Sequence, residues 1–398
     1  MKRTFSSRHW PMYLIYMLLL ISIVTVLSGC GANTEGNLTD GKSSESPSPE
    51  GTDATEPKDE GSSSPEWQEV VEAAKKEGAV SIAAPQGEQY LNALKKFSEA
   101  YPDIKLELTP SNPSDFQTKV RQERESGKFL WDLIIVGATA PINLYKEGII
   151  DPIVPYLSEE VMQDEIWLGG FDYGFYDAEK KYAFGFQLTT APQLYLNKEQ
   201  VPEGDFKSFD ELLDPKWKGK IAMLDPRQVG GGDLALLSFY LSEGEESAKK
   251  LLTEQDLVFS SDRRQLADWL FRGTYPVVFG ADISSILSLE QTTGEKFYWL
   301  PEITEALTVT SQWGVVGVVN QAPHPNATKV FLDWLLSEEG QGYYAEFTRL
   351  NSRRADVPVV DEQIAVDPNR VSEYPNLNYE ELNGERTKVR EMANQLIK

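Results

Sequence analysis

The chain has 398 residues, 40% of them hydrophobic and 11% aromatic. That is enough apolar surface for two ordinary domains or one large bilobed unit, and too much for a disordered protein. A formal charge of −24, from 62 acidic against 38 basic residues, argues against nucleic acid, whose phosphates reward clustered lysine and arginine. One cysteine and two histidines exclude an intramolecular disulfide and argue against cysteine zinc sites, multi-histidine metal centres and a Ser-His-Asp triad.

In chain order, Lys2, Arg3 and Arg8 give a basic start, followed by an almost wholly apolar run over residues 12–27. The run is too short, and too abruptly polar afterwards, for a spanning helix; it reads as a secretory signal over residues 1–29. It closes on Leu27-Ser28-Gly29-Cys30, which resembles the bacterial lipobox. That resemblance implies that Cys30 is lipidated (palmitate among its acyl chains) and becomes the first residue. The protein is therefore expected on the extracytoplasmic face of the cell membrane, lipid-anchored. Each buried methylene contributes roughly 0.8 kcal/mol, so several chains anchor permanently where one is marginal. Cleavage removes three basic residues and His9, leaving a mature charge of about −27 and His324 as the remaining histidine. Residues 30–64 are rich in Gly, Ser, Thr, Pro, Glu and Asp and read as an acidic, disordered tether, which would hold the folded body about 30 Å from the lipid.

The folded body is predicted to begin at Ser64-Pro65-Glu66, an N-cap serine, a proline at the first helical position and an acid in the first turn. Trp67, Val70, Val71 and Ala74 give the helical period, and Gly78 is the stop. Residues 80–84 read as a buried strand. Leu91, Leu94, Phe97 and Tyr101 mark a helix face ended by Pro102, and Ile104, Leu106 and Leu108 alternate as a second strand. Phe116 and Val120 belong to another helix, and residues 133–136 form a short strand after Asp132. The alternation resumes with a strand at 220–224, helices at 234–241 and 266–271, and a strand at 276–279. Such alternation predicts parallel sheets covered on both faces. No short-period repeat is found, which favours two separately built α/β lobes.

At this point the sequence resembles the type II solute-binding proteins of ABC importers, in the ferric-ion, thiamine and phosphonate branch. The residues that carry the likeness are Tyr101-Pro102-Asp103-Ile104-Lys105-Leu106-Glu107, Asp132-Leu133-Ile134-Ile135 and Trp217-Lys218-Gly219-Lys220-Ile221-Ala222. Gly273-Thr274-Tyr275-Pro276-Val277-Val278-Phe279-Gly280 adds a late strand, and Phe331-Leu332-Asp333-Trp334-Leu335-Leu336 a near-terminal helix whose stop reads as Gly340. The resemblance implies the type II periplasmic-binding-protein fold, two Rossmann-like α/β lobes joined by two crossing strands, near residues 190–197 and 307–315. Lobe 1 would hold residues 66–190 plus 309–350, and lobe 2 residues 191–308 plus 351–398. Ligand would lie in the cleft between them, at loops leaving the carboxyl ends of strands, and be trapped by hinge closure.

Five loops meet that geometry. Gln86, Gly87 and Glu88 lie between the first strand and its helix, whose amides suit a polar or anionic group. Gly137 and Thr139 follow a strand as small residues that let a ligand approach backbone. Arg227, with Gly230, Gly231 and Gly232, offers a guanidinium fork beside a possible amide nest; Asp233 is either a helix cap or a charge opposing an anion there. Asp282, Ser284 and Ser285 stand where ferric-binding relatives carry adjacent tyrosines, so direct ferric-ion binding is disfavoured. Tyr343-Tyr344 reads as packing, and His324, between two prolines, as a surface turn. Trp313 sits at the second crossing, suited to stacking or to packing the hinge, with Tyr173 and Tyr176 as further cleft aromatics.

Solute capture for an importer accounts for anchor, tether and lobes together. The partners expected are a small-molecule ligand, the ABC permease subunits and the membrane through the lipid, with no nucleic acid, no cofactor and no metal, in a monomer. Arg227, the three glycines and the serines Ser284 and Ser285 lean toward a small phosphorylated or carboxylated anion. Glu88, Asp233, Asp282 and Trp313 support the alternative of an organic cation, a polyamine or thiamine-like ring. Presentation of ligand to a membrane sensor kinase is a further alternative. Hydrolase activity is remote, because no nucleophile-base pair or carboxylate pair stands out by motif.

Overall fold

The computed structural model describes residues 64–397 except 282, 295 and 296. The signal, Cys30, the tether to residue 63 and Asp282 thus lie outside the described residues. Helix α1 (Pro65–Glu77) starts as its sequence dictates: the Ser64 hydroxyl accepts from Trp67 N at 3.1 Å, and Gly78, at φ 78°, donates its amide to Ala74 O to end the helix. Strand β1 (Ala79–Ala84) follows, then α2 (Glu88–Lys95), α3 (Phe97–Ala100), β2 (Lys105–Pro110) and α4 (Pro113–Glu125), which Asn112 caps. Next come β3 (Leu133–Val136), α5 (Thr139–Lys146), β4 (Ile150–Asp151) and β5 (Phe184–Gly185). The chain then crosses on β6 (Thr189–Pro192) to β7 (Leu194–Asn197), β8 (Ile221–Leu224), α6 (Gly231–Glu243), α7 (Glu245–Glu254) and β9 (Val258–Ser260). After α8 (Arg263–Phe271), β10 (Val277–Phe279), α9 (Ile283–Thr293) and β11 (Phe297–Tyr298), it returns on β12 (Leu307–Thr310) to β13 (Val315–Val319). Helices α10 (Pro325–Leu336), α11 (Glu338–Thr348) and α12 (Asn383–Leu396) close the chain.

Two sheets result, one ordered β2-β1-β3-β13-β4 with β5 also on β13, the other β11-β7-β10-β8-β9. Between them β6 and β12 pair antiparallel, Thr189 opposite Thr310 and Pro192 opposite Leu307. This ribbon is the pair of crossing strands, and the architecture is the two-lobed α/β arrangement that the sequence resemblance implied. The sheets are mixed where the sequence suggested parallel ones. Strands β1, β2 and β3 run parallel, as do β8, β9 and β10, but β13 opposes β3 and β7 opposes β10. The reason is topological: β7 and β13 each continue a crossing strand. They enter their lobes from the cleft, at the carboxyl ends of the parallel strands, and must run the other way.

Each sheet has its own core. In the first, Val80, Ile82, Leu133 and Val316 pack against Leu94, Phe97, Phe331 and Trp334, all buried. In the second, Leu196, Ile221, Met223 and Phe279 meet Phe209 and Phe239. A fully buried side chain of this size contributes about 1.5–3 kcal/mol, which gives each lobe its own source of stability. Two details differ from the sequence reading. Gly340 is not a helix stop: Ser337 ends α10 and caps α11, and Gly340 lies inside α11, where a Cβ would collide with Trp334 O. His324 is more than a surface turn, because its Nδ1 lies 2.9 Å from Oδ2 of the fully buried Asp132, which also accepts from Ser81 N and His324 N.

The segment after α11 touches both lobes. Arg353 packs under Trp167 and Phe184, Pro375 O accepts from Val309 N on the crossing ribbon, and α12 lies on α6 and α7. No helix among the described residues is long and apolar enough to cross a membrane.

Candidate functional site

The carboxyl ends of β3, β8 and β10 and the crossing ribbon converge on a cavity of about 530 Å³. A side pocket of about 290 Å³ continues from it and shares Gly137, Thr139, Thr310, Gln312, Trp313 and Asn378. The lobe 1 wall is uncharged: Gln89 and Tyr90 from α2, Gly137 and Thr139 after β3, Thr348 from α11. The ribbon forms the floor through Ala191, Pro192, Thr308 and Thr310, and Gln193 Nε2 donates to Ala191 O at 2.8 Å and to Thr308 Oγ1 at 3.0 Å. Lobe 2 supplies Gly230, Gly231, Arg263, Gly280 and Ala281, and the last segment supplies Leu377, Asn378 and Arg386.

Charge in this lining is one-sided. Arg263 and Arg386 line the cavity, and no carboxylate does among the described residues. Arg263, the exposed first residue of α8, has no ion-pair partner among the described residues. Arg386 is fixed by Asp233, which is wholly buried: Oδ2 accepts from Arg386 Nε at 2.8 Å and from Arg390 Nη1 at 2.9 Å, and Oδ1 accepts from Arg386 Nη2 at 3.0 Å and Gly230 N at 2.8 Å. Two arginines on one carboxylate leave a net positive charge at the start of α6, where the helix dipole also favours an anion. The negative charge that the sequence placed against an anion here is therefore neutralised.

Of the residues singled out in the sequence, Gly137, Thr139, Gly230, Gly231 and Trp313 line the main cavity. Gly232 borders an adjoining pit of about 80 Å³ that also touches Gly230 and Arg263. The glycine run is a packing requirement: a Cβ on Gly231 would lie 2.9 Å from Gly280 O, and one on Gly232 would run into Leu224 O and lie 2.7 Å from Asp225 O. Helix α6 can begin this close to the ends of β8 and β10 because those positions lack side chains. Gln86, Gly87 and Glu88 stay outside the lining, since α2 turns inward only at Gln89 and Tyr90. Arg227 is outside it too. Its Nε and Nη2 fork onto Asp225 at 2.8 and 2.7 Å, and this contact holds the Asp225 carboxyl below its ordinary range. Ser284 and Ser285 sit in the first turn of α9. The pair Tyr343-Tyr344 belongs to α11, with Tyr344 packed edge-on against Phe186.

Gln312 and Trp313 form the turn between β12 and β13. Gln312 holds φ 48°, an uncommon conformation for a residue with a side chain, and Trp313 is 39% exposed and lines both pockets. A buried network braces this turn from behind: Tyr176 Oη donates to Ser311 Oγ at 2.6 Å, and Ser311 Oγ donates to Gln187 O at 2.6 Å. Burial pushes the Tyr176 phenol up, against the pull of its Ser311 and Asn376 hydrogen bonds, so it stays a neutral donor. Tyr176 lines the side pocket, whereas Tyr173 packs on Tyr379. Beneath this network lies Arg353, fully buried without a carboxylate partner among the described residues.

The family description "Bacterial extracellular solute-binding protein" matches residues 81–342. An uncharacterized protein of Haemophilus influenzae is 24% identical over 257 residues, 62% of this chain and 69% of that one. A putative 2-aminoethylphosphonate-binding periplasmic protein of Salmonella typhi is 25% identical over 159 residues, 39% of this chain; the match spans 47% of that relative's length. Among solved structures, an ABC transporter protein of Clostridium perfringens superposes with a TM-score of 0.65 at 14% identity, over 80% of this chain and 100% of that one. Trichodesmium FutA, in complex with iron and citrate, gives 0.62 at 18% identity over 80% and 99%. Iron-bound HitA from Pseudomonas aeruginosa gives 0.59 at 17% identity, again over 80% and 99%.

Proposed function

The chain belongs to the bacterial extracellular solute-binding proteins, and from that premise we propose that it is a lipid-anchored receptor that captures a small anion between its lobes and delivers it to an ABC permease. The observation that carries the anion reading is the cleft's charge. In a chain with 62 acidic residues, the described lining holds two arginines and no carboxylate. Such a wall repels a bare trivalent cation or a polyamine and suits phosphoryl, phosphonyl or carboxyl oxygens, which guanidinium forks bind two at a time. The phosphonate named for the Salmonella relative fits this chemistry. Tyr90 and Trp313, on the uncharged side, suit an apolar or ring portion of the same molecule. Lipidation at Cys30 explains how a freely hinged receptor stays beside its permease.

Titration calorimetry of the mature protein with inorganic phosphate, methylphosphonate, citrate and spermidine tests the reading. The expectation is heat from at least one of the three anions, with affinity falling as salt rises. Binding of spermidine with none of the anions would overturn it. The anchor is tested separately: Cys30→Ala should move the protein from the membrane fraction to the medium or periplasm.

A further inference from the structure

The final segment lies beyond residue 342, where the family match ends, yet it supplies three residues of the cavity wall, Leu377, Asn378 and Arg386. It reaches the cleft by a third crossing. On lobe 1, Glu380 is clasped by Lys146 Nζ at 2.5 Å, Tyr145 Oη at 2.6 Å and Ala178 N at 2.9 Å. Burial raises that carboxyl, but Lys146, Tyr145 and the Ala178 amide together hold it below its ordinary range. Six residues later, Arg386 is locked to Asp233 on lobe 2.

Arg386 gives Nε and Nη2 to Asp233, and its Nη1 has no hydrogen bond among the described residues. An arginine paired one-to-one with a buried carboxylate would present no net charge to the cleft. Here Arg390 adds a second positive charge to the same carboxylate, so Arg386 faces the cavity as part of a cluster with one charge in excess. We propose that Arg386 is a specificity-determining residue that binds the charged group of the cargo, and that Arg390 is the positioning residue that leaves that charge available. The proposal rests on the anion reading of the cleft.

Calorimetry with inorganic phosphate and methylphosphonate, with thermal melts to verify folding, tests it on five variants. Arg386→Gln should weaken binding about tenfold or more, and Arg386→Lys, which keeps charge but loses the fork, about threefold. Arg390→Gln should cost about threefold, and adding Asp233→Asn should restore affinity to within about twofold, because the pair of changes returns the cluster to its original net charge. A merely structural role for Arg390 predicts no such recovery, since both changes remove contacts. Arg263→Gln separates the two readings. If it weakens both probes while Arg386→Gln leaves them unchanged, the role of Arg386 falls and the anion cleft stands. If wild-type protein binds none of phosphate, methylphosphonate and citrate, both fall; if citrate alone binds, the same variants are read with citrate. If Arg386→Gln weakens binding but Asp233→Asn does not rescue Arg390→Gln, the positioning role of Arg390 is refuted.

Discussion

Arg353→Met should destabilise the protein by about 2–4 kcal/mol, although it removes a buried, unpaired charge. Arg353 is 1% exposed; Nε donates to Gly185 O at 2.8 Å, and Nη1 donates to Gly170 O at 2.7 Å and Leu168 O at 3.2 Å. Its centre stacks 4.5 Å from the Trp167 ring and 5.0 Å from Phe184, and Nη2 has no partner. Burial pushes its pKa down to about 10, partly countered by Tyr176, Tyr379 and Tyr173. A shift of that size from 12.5 puts the cost of holding the charge inside at roughly 3 kcal/mol, which methionine would relieve. Against it stand the fully buried Gly185 carbonyl, about 2–3 kcal/mol if left unpaired, two partly buried carbonyls at about 1 kcal/mol each, and a desolvated cation–π contact of about 1–2 kcal/mol. The losses exceed the relief. Urea unfolding followed by tryptophan fluorescence reads the difference as a lower midpoint at unchanged slope. A variant as stable as wild type, or more so, would refute the reasoning and place Arg353 with those buried charges whose desolvation outweighs their bonds.

Three further outcomes are expected. Gly232→Ala should cost about 1–3 kcal/mol in urea unfolding despite alanine's better helix propensity, because its Cβ meets strand-end carbonyls; Gly230→Ala, at φ 162° and 3.9 Å from Arg263 Nη2, should keep its melting temperature while weakening phosphate binding. Trp313→Ala should change stability by no more than about 0.5–1 kcal/mol, since the ring is partly exposed, and weaken cargo binding about tenfold by fluorescence or calorimetry. Burial raises Tyr173 and Tyr298 to about 12 from an unfolded value of 10. The native state therefore binds more protons than the unfolded chain in that window, and the stability these groups contribute, intact below pH 10, is lost as pH rises toward 12. Arg353 acts in the opposite sense above pH 10 but is one group against several raised tyrosines. Part of the phenolate absorbance, that of the raised tyrosines, should consequently appear late and together with loss of circular dichroism; complete, reversible ionisation of all tyrosines in the folded protein would contradict it.

Local signals were legible where the physics is local. Ser64-Pro65 and Gly78 bounded α1 because a cap, a fixed φ and a left-handed glycine each act within one turn. The crossings near residues 190 and 310, where β6 pairs with β12, were implied by the family resemblance, and the loops holding Gly137, Gly230, Gly231 and Trp313 followed from the rule that ligands meet the carboxyl ends of strands. Gly340 shows the limit: a glycine that permits close approach to Trp334 O looks the same in sequence as one that stops a helix.

The arginines show it more sharply. Arg227, beside the glycines, was the visible candidate, but a carboxylate two residues away captures it, and neighbours in sequence compete most effectively for a flexible guanidinium. Arg386 lies 153 positions from its partner Asp233, on the last helix, α12, which carries no motif that points to the cleft. Nothing local marks it, since its place at the cavity wall arises when a third crossing folds the last helix back onto α6. The same closure turns Asp233 from an apparent obstacle to an anion into the residue that fixes a positive charge at the cavity wall. The sign of a binding site is thus decided by pairings that tertiary structure makes, and the carboxylates nearest the site in sequence can point the wrong way.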